Sequence, residues 1–388
     1  NDSLVAYQRI PFTENNSADN MALAKTAALE SMVLLQNKNK ALPLSKSVKT
    51  LAVIGPYAND NGVLNGNYNG TPSSPVNFVN GIKAKLGSST TVINNNFIYK
   101  PEKIYLNPKN ATDSVQLTVQ SVKNADVIIF CGGISARVEG EESKLDIKGF
   151  YRGDRTDINL PDVQLETLKA LKATGKSVIL VLTNGSPLAL NWENENLDAI
   201  VETWYPGEQG GNAIADILFG DYNPSGKLPI TFYKSVNDLP AFEDYAMKGR
   251  TYKYFTGTPL YPFGYGLSYS TFDYSNLKLS APSVKTNGQI DVTLDIKNTS
   301  NIDGIETIQL YAKGKSTSFV PQKTLIGFEK IALKAGETKK VKIKLSAASL
   351  RQFSSKENDY VVTAGDYILN VGSSSNDVKL TAPFKIVK

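Results

Sequence analysis

The 388 residues include no histidine, which removes imidazole bases and histidine-containing metal sites and leaves carboxylates, lysine and tyrosine for acid/base work. The one cysteine, Cys131, rules out a disulfide framework within the chain and a thiolate metal site. It lies in the apolar run Asp126-Val127-Ile128-Ile129-Phe130-Cys131 and reads as an inert buried thiol. No apolar run approaches membrane-spanning length, so no membrane partner is expected. No block of like charge is long enough to follow a phosphate backbone, and 42 Lys and Arg against 37 Asp and Glu leave a net charge of only +5. Nucleic acid is therefore not an expected partner. The chain opens at Asn1 with neither Met nor a signal-like segment, and is expected to be a piece of something longer. Its length suits roughly two or three domains.

What is present alternates. Residues 1–18 are polar and irregular and read as a linker. Asp19 or Asn20 then caps a helix whose apolar residues, Ala22 to Leu35, recur at helical spacing through Asn37, with Pro43 as its stop. Leu51-Ala52-Val53-Ile54-Gly55-Pro56 reads as a buried strand, followed by the glycine- and asparagine-rich loop Gly66-Asn67-Tyr68-Asn69-Gly70-Thr71-Pro72, which lacks the Lys of a phosphate-binding loop. Helices near 76–86 and 112–124 and strands near 91–94 and 126–131 follow. Then come a helix from Pro161 to Thr174, strands at 178–182 and 199–204, and a helix from Gly210-Gly211 to Phe219. Strands alternating with helices predict an α/β fold, a mostly parallel sheet flanked by helices, over residues 19–239.

The chemistry of that domain concentrates after the 126–131 strand, in Gly132-Gly133-Ile134-Ser135-Ala136-Arg137-Val138-Glu139-Gly140-Glu141-Glu142. Loops at strand ends are where α/β folds place their sites. Three crowded carboxylates raise the pKa of at least one of them, as a general acid near neutral pH requires, although a solvated acidic loop would look the same. Residues 240–271 are dense in Tyr, Phe, Pro and Gly and read as a packed aromatic connector. From 272 to 388 the pattern changes to alternating strands, among them Ile290–Ile296, Thr307–Tyr311, Lys340–Leu345 and Gly365–Gly372, which predict an all-β, antiparallel sandwich of immunoglobulin or fibronectin type III-like kind.

Several ordered motifs carry a resemblance. They include Glu30-Ser31-Met32-Val33-Leu34-Leu35-Gln36-Asn37 before Leu42-Pro43-Leu44, Gly153-Asp154-Arg155 leading to Leu160-Pro161, and Trp204-Tyr205-Pro206-Gly207-Glu208-Gln209-Gly210-Gly211. Further along stand Gly220-Asp221-Tyr222-Asn223-Pro224-Ser225-Gly226-Lys227-Leu228-Pro229 and Tyr261-Pro262-Phe263-Gly264-Tyr265-Gly266-Leu267-Ser268. Over essentially its whole length the chain resembles the second and third domains of family-3 glycoside hydrolases, most nearly the bacterial β-xylosidases and β-glucosidases. The family's N-terminal (β/α)8 barrel is not among these residues.

The resemblance implies a retaining, exo-acting β-glycosidase in which the barrel supplies an Asp nucleophile and this part lends the acid/base Glu, with the two carboxyls about 5–5.5 Å apart. It places that acid/base at Glu141, with Glu139 as runner-up, and suggests that Tyr68 presents a ring to the sugar. The partners it implies are a β-linked oligosaccharide or aryl glycoside and the barrel domain. No metal or cofactor is required, and a periplasmic or secreted bacterial setting is expected. Because these residues offer an acid but no opposed nucleophile, the chain by itself is expected to be inactive. Two other readings compete. A noncatalytic carbohydrate-binding or scaffold module would use the same domains, whereas a flavodoxin-like nucleotide binder fits poorly because carboxylates follow Gly132-Gly133.

Overall fold

The computed structural model describes residues 4–94, 108–139, 146–314 and 321–388. By contact the chain forms two units, one of Asn1–Met32, Gln36–Ser186 and Trp192–Tyr222, the other of Val33–Leu35, Pro187–Asn191 and Asn223–Lys388. Residues 240–271 fall in the second.

In chain order the elements through residue 218 are α1 (Ala18–Ser31), β1 (Val33–Asn37), β2 (Thr50–Ile54), α2 (Phe78–Leu86), β3 (Thr91–Ile93), α3 (Pro108–Ser121) and β4 (Val127–Gly133). The two-residue strands β5 (Asp146–Ile147), β6 (Phe150–Tyr151) and β7 (Asp154–Arg155) follow, then α4 (Asp162–Lys172), β8 (Ser177–Thr183), α5 (Asn191–Asn196), β9 (Ala199–Glu202) and α6 (Gly210–Leu218). The main sheet has the order β1-β9-β8-β4-β2-β3, and the pairings from β9 through β3 are all parallel. Its central strands are apolar and buried along their length, as expected when helices cover both faces. α2 and α6 cross at two glycines: a Cβ on Gly81 would stand 2.0 Å from the Gly211 carbonyl oxygen, and one on Gly211 would stand 2.1 Å from that of Asn77.

One expectation fails here. The first helix ends at Ser31, not Asn37: Met32 is extended at φ −65°, ψ 136°, and Val33-Leu34-Leu35 enter the sheet fully buried. A continuous apolar run is ambiguous between helix and strand, and three adjacent apolar side chains find burial on both faces of a sheet, not on one helix face. Of α1 itself only Ala28 is buried, so the expected apolar face is slight.

The second unit contains α7 (Thr251–Tyr254), β10 (Phe272–Leu279), β11 (Ser283–Lys285), β12 (Gln289–Asn298), β13 (Gly304–Gly314), β14 (Thr324–Leu333), β15 (Thr338–Ser346), β16 (Gln352–Ser354), β17 (Asp359–Val361), β18 (Gly365–Gly372) and β19 (Val378–Val387). Among the described residues, sheets β10-β12-β15 and β11-β19-β18-β13-β14 enclose one core, in which Val292, Leu294, Ile308, Leu310, Leu345 and Leu369 are buried. Alternate residues of β12 point inward, the period-2 pattern of a sandwich strand. The pairing is antiparallel as expected, except that β11 runs parallel to β19. The aromatic segment is packed: Phe263 stacks on Tyr252 with ring centroids 4.2 Å apart, and Phe232 meets Tyr261 edge-on at 5.9 Å.

Candidate functional site

Sheet order places the site. β3 and β4 lie on opposite sides of β2, so the chain reverses its winding between β2 and β4, and ligands of open α/β sheets lodge outside the strand ends at such a switch. The two loops singled out in the sequence leave these two strands: the loop bearing Tyr68 follows β2 and the acidic loop follows β4. Arg137 of the second forms an ion pair with Asp60 of the first, and the Tyr57 N–H donates to the Cys131 carbonyl at 3.2 Å. The end of β8 and the turn after β9 complete the cluster, with the Gly207 N–H donating to the Leu64 carbonyl at 2.7 Å.

β4 opens into its loop at Gly133, where φ is +120° and a Cβ would stand 2.0 Å from the Thr183 carbonyl oxygen, so only glycine fits. The side-chain amide of buried Gln164, on α4, clamps this residue from both sides, accepting from its N–H and donating to its carbonyl, each at 2.7 Å. Burial pushes the Cys131 thiol well up, so it stays protonated and inert.

Glu139 lies six residues beyond this turn, partly buried, and both its oxygens are engaged. Ser186 Oγ donates to Oε1 at 2.6 Å and Tyr205 Oη donates to Oε2 at 2.7 Å. The position between them is glycine: a Cβ on Gly185 would meet the Tyr205 ring at 2.9 Å and Glu139 Oε2 at 3.2 Å. Ser186 is itself oriented by Arg155 Nη1 at 3.2 Å, and Arg155 is fixed by donating to the Asp157 carbonyl from Nε at 3.0 Å and Nη2 at 2.8 Å. Burial, and then the neighbouring Glu139, push the Tyr205 phenol up, which keeps it a donor.

Deeper at the same strand ends sits Glu202, fully buried. Its Oε1 accepts from the Trp204 N–H at 2.8 Å, and its Oε2 meets Asn184 Nδ2 at 2.6 Å. Burial pushes its pKa up to about 8, against weaker opposition from these hydrogen bonds, so the carboxyl is largely protonated at neutral pH.

Glu141 and Glu142 lie outside the described residues. Tyr68 is 97% exposed at φ +59°. The far end of its loop is pinned by Glu208, whose Oε1 accepts from the Ser73 hydroxyl at 3.1 Å and from the Ser74 N–H. The structure therefore brings Glu139 together with Ser186, Tyr205 and Arg155, while Tyr68 stands in solvent. Ser186, Glu202 and Asn184 were not read as site residues from the sequence. Their positions at the carboxyl ends of β8 and β9 were the available signal. Among the described residues no group of three or more His, Cys, Asp or Glu could hold a metal ion, and no helix is long and apolar enough to cross a membrane.

Comparison with known proteins finds two family matches, whose boundary lies later in the chain than that between the two units. The glycosyl hydrolase family 3 C-terminal domain matches residues 32–269, and a fibronectin type III-like domain matches residues 306–375. A xylan 1,4-beta-xylosidase of Xylanibacter ruminicola is 34% identical, the match covering 97% of this chain and 59% of that protein. A periplasmic beta-glucosidase of Salmonella typhimurium is 38% identical over 92% of this chain and 49% of its own length. Among solved structures, a Bifidobacterium adolescentis GH3 beta-glucosidase superposes with a TM-score of 0.82 at 31% identity, covering 98% of this chain and 55% of that one. The chain thus spans about half the length of the relatives it matches.

Proposed function

The chain belongs to glycosyl hydrolase family 3, and from that premise we propose that it furnishes the general acid/base, Glu141, of a retaining exo-β-glycosidase acting on β-xylosides or β-glucosides. The nucleophile in this reading comes from a barrel domain. A periplasmic or secreted setting belongs to the same reading, supported by the name of the Salmonella relative.

The observation that carries the assignment is the occupation of Glu139. An acid/base must give a proton to the leaving oxygen and later take one from water, so it needs an oxygen facing the substrate. Both Glu139 oxygens already accept hydrogen bonds from Ser186 and Tyr205, which suits a residue that anchors the loop root. Of the two glutamates that follow, Glu141 and Glu142, the family resemblance puts the proton carrier at Glu141.

The test is kinetic, in a protein that also contains the barrel. Glu141→Ala should lower turnover of substrates with poor leaving groups by about 10²–10⁴-fold, and of activated aryl glycosides far less at the glycosylation step, because only the former need protonation to depart. Equal loss on both substrate classes, or a larger leaving-group bias in Glu139→Ala, would move the role to Glu139. Unchanged turnover in both variants would leave the noncatalytic carbohydrate-binding role.

A further inference from the structure

An asparagine followed by glycine is chemically labile, because glycine has no side chain to shield its backbone nitrogen from attacking the preceding side-chain amide. The sequence holds six such pairs, beginning at Asn61, Asn65, Asn69, Asn80, Asn184 and Asn287. The fold withholds most of them. The Gly62 N–H donates to Asp60 Oδ1 at 2.8 Å, the Gly288 N–H to the Lys285 carbonyl at 2.8 Å, and the Gly81 N–H, inside α2, to the Asn77 carbonyl at 3.0 Å. Asn184 is fully buried with its Nδ2 on Glu202. Asn65 and Gly66 are half-buried, and a Cβ on Gly66 would stand 3.3 Å from the Tyr205 ring. Asn69 and Gly70 differ on each count. Both are exposed, a Cβ on Gly70 would meet no atom within 4 Å, and the Gly70 N–H has no acceptor among the described residues. Asn69 Nδ2 donates to the Gly70 carbonyl at 2.7 Å, which folds the amide back over the residue that would attack it.

We propose that Asn69 is a site of spontaneous covalent modification, deamidated by the Gly70 backbone with water as the co-reactant. Base removes the Gly70 amide proton, and that nitrogen forms a bond to Asn69 Cγ. The Cγ–Nδ2 bond breaks, and Nδ2 takes up a proton and leaves as ammonia. The resulting cyclic imide adds water at either of its carbonyls and opens to aspartate or isoaspartate, with nothing oxidised or reduced. Each product places a negative charge next to Tyr68, and isoaspartate also adds a carbon to the main chain, between the loop's anchors at Leu64 and Ser73. The site is independent of the proposed sugar chemistry and stands or falls without it.

The test is peptide mass mapping of the folded 388-residue chain held in mildly alkaline buffer, with fragmentation that separates aspartate from isoaspartate. The expected result is that Asn69 deamidates several-fold faster than each of the other five asparagines. Gly70→Ala, whose methyl has open space in the fold, should slow the reaction several-fold by shielding the nitrogen. The same chain unfolded in urea should lose the ranking, because the fold no longer withholds the other five pairs. A rate at Asn69 no greater than at the others in the folded chain, a ranking that persists unchanged in urea, or a rate indifferent to Gly70→Ala would overturn the site.

Discussion

Glu202 and Glu139 bridge the same two strand ends at different depths: Glu202 joins Asn184 to the Trp204 backbone, and Glu139 joins Ser186 to the Tyr205 hydroxyl. The deeper bridge has a pH signature. Burial raises the folded pKa of Glu202 from 4.5 to about 8, so between those values the folded state binds the proton that the unfolded state has released. Its contribution to stability is full below about pH 4.5 and is lost as pH rises through about 8. Glu202→Gln keeps the shape of the neutral acid and cannot ionise. The Tm of the wild type minus that of Glu202→Gln should therefore fall steadily from pH 5 to pH 8. A difference independent of pH would show that Glu202 is ionised throughout. Glu139 was legible in the sequence as one of three crowded acids. Its partners were not, because they stand 47 and 66 positions away and only the parallel pairing of β4, β8 and β9 brings them close.

Among the elements, legibility followed burial. β2, β4, β8 and β9 announce themselves as short β-branched runs between helical segments, and each lies close to where the pattern puts it. β1 did not, since Val33-Leu34-Leu35 extends an alanine-rich helix without a breaker and only sheet pairing distinguishes the two. The α2–α6 crossing was equally hidden, because a glycine in a helix looks like a weakness until its neighbour is seen. Gly81→Ala pushes a methyl onto the Gly211 backbone, where neither partner is a flexible side chain, and should cost about 1–3 kcal/mol or more, read from urea midpoints. An unchanged midpoint would mean that the helices separate freely. The loop after β2 makes a different prediction. Tyr68 is held in solvent on a loop whose end is anchored by Glu208, and an exposed ring suits the apolar face of a sugar. In a barrel-containing protein, Tyr68→Ala should raise KM for longer oligosaccharides several-fold more than for aryl monoglycosides. Equal kinetics on both would return the residue to an ordinary surface loop.

For the molecule as a whole, composition and pattern sufficed for an α/β unit followed by a β-sandwich, because hydrophobic period switches from buried runs to strict alternation near residue 272. The sugar chemistry was less accessible. A glycosidase needs two opposed carboxyls, and within the described residues the site region offers an engaged Glu139 and a buried Glu202. General acid catalysis alone supplies about 10²–10⁴-fold, far below what glycoside cleavage requires. The proposed division of labour, acid/base here and nucleophile on a barrel, is tested most directly by assaying the purified 388-residue chain on aryl β-xyloside and aryl β-glucoside, alone and mixed with a separately expressed family-3 barrel. The account predicts no turnover by the chain alone, and that any turnover in the mixture is sensitive to Glu141→Ala. Turnover by the chain alone, abolished by a substitution within it, would contradict the account and place both catalytic carboxylates inside these residues.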